Sequence, residues 1–255
     1  MKKYVQITVK TKSNTTDWEV GERLVDSLEM GDGLLIPEQV SYYNPDKFKD
    51  PFMGKAACKD IWAVKGIIRS GNSTPREFAC DFAWRRKKAL KCKGYVVHTM
   101  KNIYLKTVPG RINFHSACSE KVDWYSLFKT WCGIFPPQLG MLHIFSEPEL
   151  EFKVAGSDSF QIGSFNAALK PDVPNAAWAM VYGDEFAEKV DAERIAAAGF
   201  PIEKIGNAWL VRVTENIQDV LDDFPRFSKR RAELKSLFPE NFFLIKKEPV
   251  IGALE

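Results

Sequence analysis

The chain predicts an α+β fold, with antiparallel or mixed sheets and packed helices, and three stretches carry that prediction. Residues 175–239 read as strand, helix, turn, strand, helix. Residues 95–117 hold short runs of β-branched and aromatic residues divided by turn formers, and VDWYSLFKTWC repeats its apolar residues at helical spacing. A chain of 255 residues, 45% hydrophobic and 27% charged, buries a sizeable core and suits a single α+β unit over 1–255. Any subdomain seam is expected at about 147–174, where the composition turns acidic and rich in Gly, Ser and Pro.

Tyr4, Val5, Ile7 and Val9 predict a first strand, and Trp18 to Leu28 a helix capped by Thr16 or Asp17 and stopped by Gly31-Asp32-Gly33. LLIPEQVSYY is extended, with Pro37 confining it to an edge or interrupting it. Residues 44–54 are a surface loop, Lys55 to Val64 a short helix and 70–75 a turn. Tyr95 to Met100, Ile103 to Val108 and Arg111 to Ala117 read as a three-stranded meander, with Pro109-Gly110 at its second turn. Val122 to Cys132 is a core helix, and the apolar pattern of Gln138 to Phe145 predicts a second.

Ala176 to Tyr182, ending in Gly183, and Trp209 to Val213 predict buried strands that hold Trp178 and Trp209. Ala187, Val190, Ile195 and Ala198 place one helix or two short ones between them, and Gly206-Asn207 suits a hairpin turn before the second. Thr214 is placed to cap a helix bearing Ile217, Val220, Leu221 and Phe224, which Pro225 ends or kinks. Phe227 to Phe238 is amphipathic, with Lys229, Arg230 and Arg231 expected outside, and the tail FFLIKKEPVIGALE offers a last strand.

The N-terminal residues alternate apolar with polar, unlike a secretory signal, and no run nears the roughly 18 to 20 apolar residues of a membrane span. A cytoplasmic protein is expected. Five unpaired-looking cysteines, Cys58, Cys80, Cys92, Cys118 and Cys132, suit a reducing compartment and buried apolar positions. His98, His115 and His143 are far apart and no Cys-x-x-Cys occurs, so neither a metal nor a cofactor is expected. Phosphate-loop, dinucleotide, nucleophile-elbow and zinc-peptidase motifs are missing, and an enzyme is not expected. Glu147 with Glu149, or Asp222 with Asp223, could do acid–base work, but neighbouring acidic residues more often mark solvation or partner contact.

Residues 1–147 carry 23 Lys and Arg against 15 Asp and Glu, net +8, and residues 148–255 carry 13 against 18, net −5. The basic run RRKKALKCK, led by Arg85, Arg86, Lys87 and Lys88 and flanked by Trp84 and Tyr95, admits two readings. It is a solvated face, or it tracks phosphates in a nucleic-acid-binding protein.

NAAWAMVYGDEF followed by IEKIGNAWLVRVTEN, with VDWYSLFKTWC upstream, resembles immunity proteins of bacterial contact-dependent and type VI toxin systems, immunity protein 52 above all. The pattern is a Trp-containing strand ending in Gly, a helix and a Gly-x-x-Trp strand, here Trp178, Gly183, Gly206 and Trp209. It covers the C-terminal half and the preceding helix. The resemblance implies a non-enzymatic protein that binds a cognate toxin effector, often a nuclease, and blocks it. An acidic surface would suit a basic nuclease cleft, which makes Asp184, Glu185, Glu188, Asp219, Asp222 and Asp223 the candidate partner-binding residues.

Overall fold

The computed structural model describes residues 3–30, 32–42, 47–68, 75–165, 169 and 171–249. It is a mixed α+β protein of antiparallel strand pairs and helices, as the sequence predicts. The chain forms two compact units, Met1–Val9 with Pro137–Glu255, and Lys10–Pro136. Strand β1, Tyr4–Thr11, runs from the first into the second.

Within Lys10–Pro136 the elements are α1 (Trp18–Glu29), β2 (Gln39–Ser41), β3 (Asp50–Pro51), α2 (Lys55–Lys59), β4 (Lys65–Ile68), β5 (Arg76–Ala79), β6 (Phe82–Arg86), β7 (Cys92–Val97), β8 (Met100–Lys101), β9 (Thr107–Val108), β10 (Gly110–Ala117) and α3 (Trp124–Ile134). The sheet order is β10-β7-β6-β2-β3, with β4-β5 and β8-β9 as separate two-stranded ladders. The predicted meander is therefore corrected. Strand β10 pairs directly with β7, Asn113 opposite Tyr95, and the middle segment leaves the sheet as the β8–β9 hairpin. Asp17 occupies the N-cap position of α1 without a side-chain cap bond, while Thr16 is bonded back to Asn14.

The core of this unit is aromatic. Trp84 stacks near Phe114 at 6.3 Å, and Trp131 stands edge-on to both, at 6.4 and 5.2 Å. Trp131 Nε1 donates to Ser27 Oγ at 2.7 Å, so the indole buries its one polar atom with a partner. Trp84 lies across its ladder partner Gly94, where a Cβ would stand 2.3 Å from the indole ring. Only glycine leaves that space.

The other unit holds β11 (Leu139–Phe145), α4 (Glu147–Glu151), α5 (Ser157–Gln161), β12 (Ala179–Tyr182), a 3-10 turn at Asp184–Lys189, α6 (Ala192–Ala197), β13 (Ile202–Ile205), β14 (Ala208–Arg212), α7 (Asp219–Asp222) and α8 (Phe224–Lys235). Its strands lie in the order β13-β14-β12-β11-β1. Residues Gln138 to Phe145, expected to be helical, instead lead into the fully buried strand β11. A short run apolar at almost every position fits a strand covered on both faces as well as it fits a helix, and β11 is flanked by β12 and β1.

The strand pair at the centre of the sequence pattern forms as expected, Tyr182 opposite Trp209 and Ala179 opposite Arg212. Gly206-Asn207 makes a two-residue turn between β13 and β14, with Ile205 paired to Ala208. A Cβ at Gly183 would stand 1.8 Å from the Pro137 carbonyl oxygen, so the end of β12 passes that backbone too closely for a side chain. Thr214 caps no helix. Its hydroxyl accepts from Trp178 Nε1 at 3.1 Å and donates to the Asn216 carbonyl at 3.1 Å. Asp223 caps α8 by accepting from Arg226 N at 3.1 Å, and Pro225 sits in the first turn of α8, where its missing N–H costs nothing. The tail adds a single parallel bridge, Phe243 to Val173, in place of a strand, and its residues 250–255 lie outside the described residues.

The two tryptophans of the pattern are unequal. Trp178 is 1% exposed, whereas Trp209 is only half-buried because Ala208 and Leu210, its neighbours along β14, face the core. Trp178→Ala is expected to cost about 3 to 5 kcal/mol in a chemical denaturation experiment, and Trp209→Ala clearly less. Equal losses would contradict this packing.

Candidate functional site

The least expected feature of the sequence lies inside the unit Met1–Val9 with Pro137–Glu255. Arg231, assigned to the outer face of its helix by charge, is 0% exposed. The apolar stripe of α8 runs Phe224, Phe227, Leu234, and position 231 falls on it, four residues beyond Phe227 and three before Leu234. Its guanidinium is met by Glu149 of α4 and by Glu248 of the C-terminal segment, Nε to Glu248 Oε2 at 2.6 Å. Lys235, one turn later, donates to Glu248 Oε1 at 2.7 Å and to the Ile245 carbonyl.

His143 of β11 completes the cluster. The Trp178 backbone N–H donates to its Nδ1 at 3.1 Å, which leaves Nε2 to carry the proton toward Glu149 Oε1 at 3.4 Å. Burial pushes the imidazole below its ordinary pKa, so it is neutral at pH 7. Burial alone would raise the Glu149 carboxyl, but Arg231 and the His143 hydrogen bond outweigh it and hold the group down at about 2. A carboxylate so firmly ionised and so fully occupied makes a poor general base, and the acid–base role open to Glu149 in the sequence finds no support here. The cluster is a buried electrostatic joint.

The six acidic candidates fall into two separate groups. Asp184, Glu185 and Glu188 belong to the 3-10 turn after β12, and Asp219, Asp222 and Asp223 to the segment after β14. Because β12 and β14 are antiparallel, with Tyr182 opposite Trp209 and Ala179 opposite Arg212, these segments leave the ladder at opposite ends. Asp184, Glu185, Glu188, Asp222 and Asp223 are exposed and Asp219 is half-buried. Glu185 accepts from Gln138 Nε2 at 2.7 Å, and Asp223 is the helix cap.

The basic run also divides. Arg85 donates to Gln39 Oε1 at 2.8 Å and its guanidinium lies 4.4 Å from the Phe48 ring centre. Arg86 donates to the Ile36 carbonyl at 2.8 Å. Glu38 accepts the backbone N–H groups of Lys87 and Lys88 at 3.1 and 3.2 Å, which fixes the turn after β6 and leaves both lysine side chains exposed. The charge asymmetry read from the sequence follows the two units. Lys10–Pro136 has 21 Lys and Arg against 14 Asp and Glu, net +7, and the remainder has 15 against 19, net −4.

His98 is buried with Nδ1 3.0 Å from the Thr15 carbonyl, and burial pushes its pKa down to about 4. Cys58, Cys80, Cys92 and Cys132 are buried as free thiols, and Cys118 is half-buried. Among the described residues no group of three or more His, Cys, Asp or Glu is placed to hold a metal, and no helix is long and apolar enough to cross a membrane. A cavity of about 190 Å³ between α1 and α3 is lined mainly by Met30, Leu35, Val122 and Leu127, and its Asp123 is occupied as the cap of α3, accepting from Ser126 N at 2.9 Å.

No family model matches the chain, and no curated protein matches its sequence. In structure it is similar to the Pseudomonas aeruginosa T6SS protein PA0821, with a TM-score of 0.53 and 11% identity over 92% of this chain and 72% of that one. The likeness is one of fold.

Removing one partner of the joint strands the rest. Arg231→Met, which leaves Glu149 buried without its cation, is expected to cost about 3 to 5 kcal/mol, more than an exposed Arg→Met change on the same helix such as Arg226→Met. The pH dependence follows from the same shifts. Glu149 stabilises the folded chain fully above the unfolded carboxyl range near 4.5, and that contribution is lost as pH falls toward about 2. His143, lowered by burial, acts in the same direction, because the unfolded chain takes up a proton below about 6.5 that the folded chain refuses. Unfolding midpoints measured from pH 7 to pH 3 are expected to fall for the parent and to fall less steeply for Glu149→Gln. Parallel curves would remove Glu149 as a source of the acid sensitivity.

Proposed function

We propose that this protein is an immunity protein, a non-enzymatic partner that binds and neutralises a cognate toxin effector in the cytoplasm of the cell that makes both. The observation that carries the reading is the fold likeness to a type VI secretion protein across 92% of the chain. It agrees with the independent resemblance in the sequence through Trp178, Gly183, Gly206 and Trp209. The rigid β12–β14 pair is the physical content of that pattern.

Neutralisation of a toxin asks for rapid capture and slow release. Charge complementarity governs the first and a few desolvated anchors the second. The unit of net −4 presents exposed carboxylates at both ends of the β12–β14 ladder, and a nuclease effector would offer a basic substrate cleft to either end.

Two experiments test this reading. Co-expression with the toxin encoded in the neighbouring reading frame is expected to rescue growth, and the purified proteins are expected to form a stable complex; failure of both would refute it. Stopped-flow association across a salt series is expected to slow steeply as the Debye length shortens to about 8 to 10 Å. Glu188→Lys or Asp222→Lys is expected to slow association with little change in dissociation, each probing one end. Asp223 is avoided because losing a helix cap costs about 1 kcal/mol by itself. Rates indifferent to salt and to both reversals would exclude acidic steering.

A further inference from the structure

The β8–β9 hairpin leaves the sheet and ends in a turn that carries Ile103, Tyr104 and Leu105, exposed by 60%, 74% and 79%. Three consecutive large apolar side chains in water are costly to solubility and contribute nothing to the core. The turn is nevertheless tightly built. Asn102 Oδ1 accepts the N–H groups of Tyr104 at 2.9 Å and Lys106 at 3.0 Å, and the Asn102 backbone exchanges bonds with Leu105 and Lys106 at 3.0 Å each. Leu105 is held at φ +58°, a left-handed conformation that a leucine adopts only at a cost of about 1 kcal/mol or more. Strain, exposure and rigidity coincide on one short turn. Lys101 and Lys106 flank it, both exposed, on a unit of net +7.

We infer that this turn is an anchor that inserts Tyr104 and Leu105 into an apolar pocket rimmed by carboxylates on the toxin partner. The inference rests on the proposed function and names the contact that makes release slow. A preformed turn loses little conformational freedom on docking, and a tyrosine seated in a dry pocket is the kind of side chain that dominates binding energy. The flanking lysines select an acidic rim. A membrane surface fits less well, because these three side chains offer about the apolar content of one acyl chain, which binds bilayers only marginally. A second copy meeting tip to tip would set like-charged lysines together.

The test uses the full-length protein and the toxin from the neighbouring reading frame, measured by titration calorimetry. Tyr104→Ser with Leu105→Asn removes the apolar tip while keeping a residue that tolerates φ +58°. Weakening by about 30-fold or more, mainly in dissociation, with an unchanged melting curve is expected, and Tyr104→Phe is expected to retain binding. Lys106→Glu is expected to weaken it further at low salt than at high salt. Full affinity in the double variant would overturn the anchor while leaving the immunity reading intact, whereas a parent protein that binds no toxin would end both. Tip-dependent sedimentation with phosphatidylserine vesicles, or tip-dependent dimers in ultracentrifugation, would overturn it in favour of a membrane or a second copy.

Discussion

Burial of the Arg231 guanidinium constrains one whole unit of this protein, because a full charge taken out of water is tolerable only where opposite charges close around it, here Glu149 and Glu248. The acceptors come from far apart in the sequence. Glu149 stands on α4, Glu248 on the C-terminal segment, and His143 on β11 orients Glu149 while its other nitrogen receives the Trp178 backbone N–H. An apolar side chain of similar size at 231 would pack against Phe227 without specifying which segments surround it. The guanidinium does specify them. Register of α8, seating of the tail and closure of α4 over β11 thus become one problem with one electrostatic solution.

Much of the architecture was legible in the sequence, and the failures have physical reasons. The β12–β14 pair with its Gly206-Asn207 turn followed from β-branched and aromatic runs bounded by turn residues, and α1, α3 and α8 from apolar spacing. Gln138 to Phe145 reads as a helix but holds strand β11, because a short run buried on both sides lacks the alternation that distinguishes a strand from a helix. The β8–β9 segment was misread because β-formers on a free hairpin look the same as β-formers in a sheet. Arg231 was assigned outward by its charge although its spacing from Phe227 and Leu234 placed it inward; periodicity was the better guide. The partners Glu149 and Glu248 had no sequence signal linking them to it. Contacts between distant segments leave none.

The candidate acidic residues show the same limit from the functional side. Six carboxylates in the acidic half of the chain suggest one negative face, yet the antiparallel pairing of β12 with β14 makes their two segments leave the ladder at opposite ends, and one of them, Asp223, holds a helix cap. Similarly, Arg85 and Arg86 are drawn into contacts with Gln39, Phe48 and Ile36, so a contiguous basic run contributes only part of its charge to the surface. Charge counted along a chain bounds the field of each unit. Topology decides where that field can meet a partner.

The split composition of the first unit also orders events on the ribosome. Lys10–Pro136 is a continuous segment whose aromatic core can close as soon as it emerges, whereas the other unit joins residues 1–9 to Pro137–Glu255 and lacks its Arg231 joint until Glu248 has left the exit tunnel. Until then the nascent chain carries β11, apolar on both faces, with a cationic α8 that has only one of its two carboxylate partners. That half therefore becomes native only after residue 248 is free to pair with Arg231, and chaperone demand during synthesis falls on the segment after Pro137.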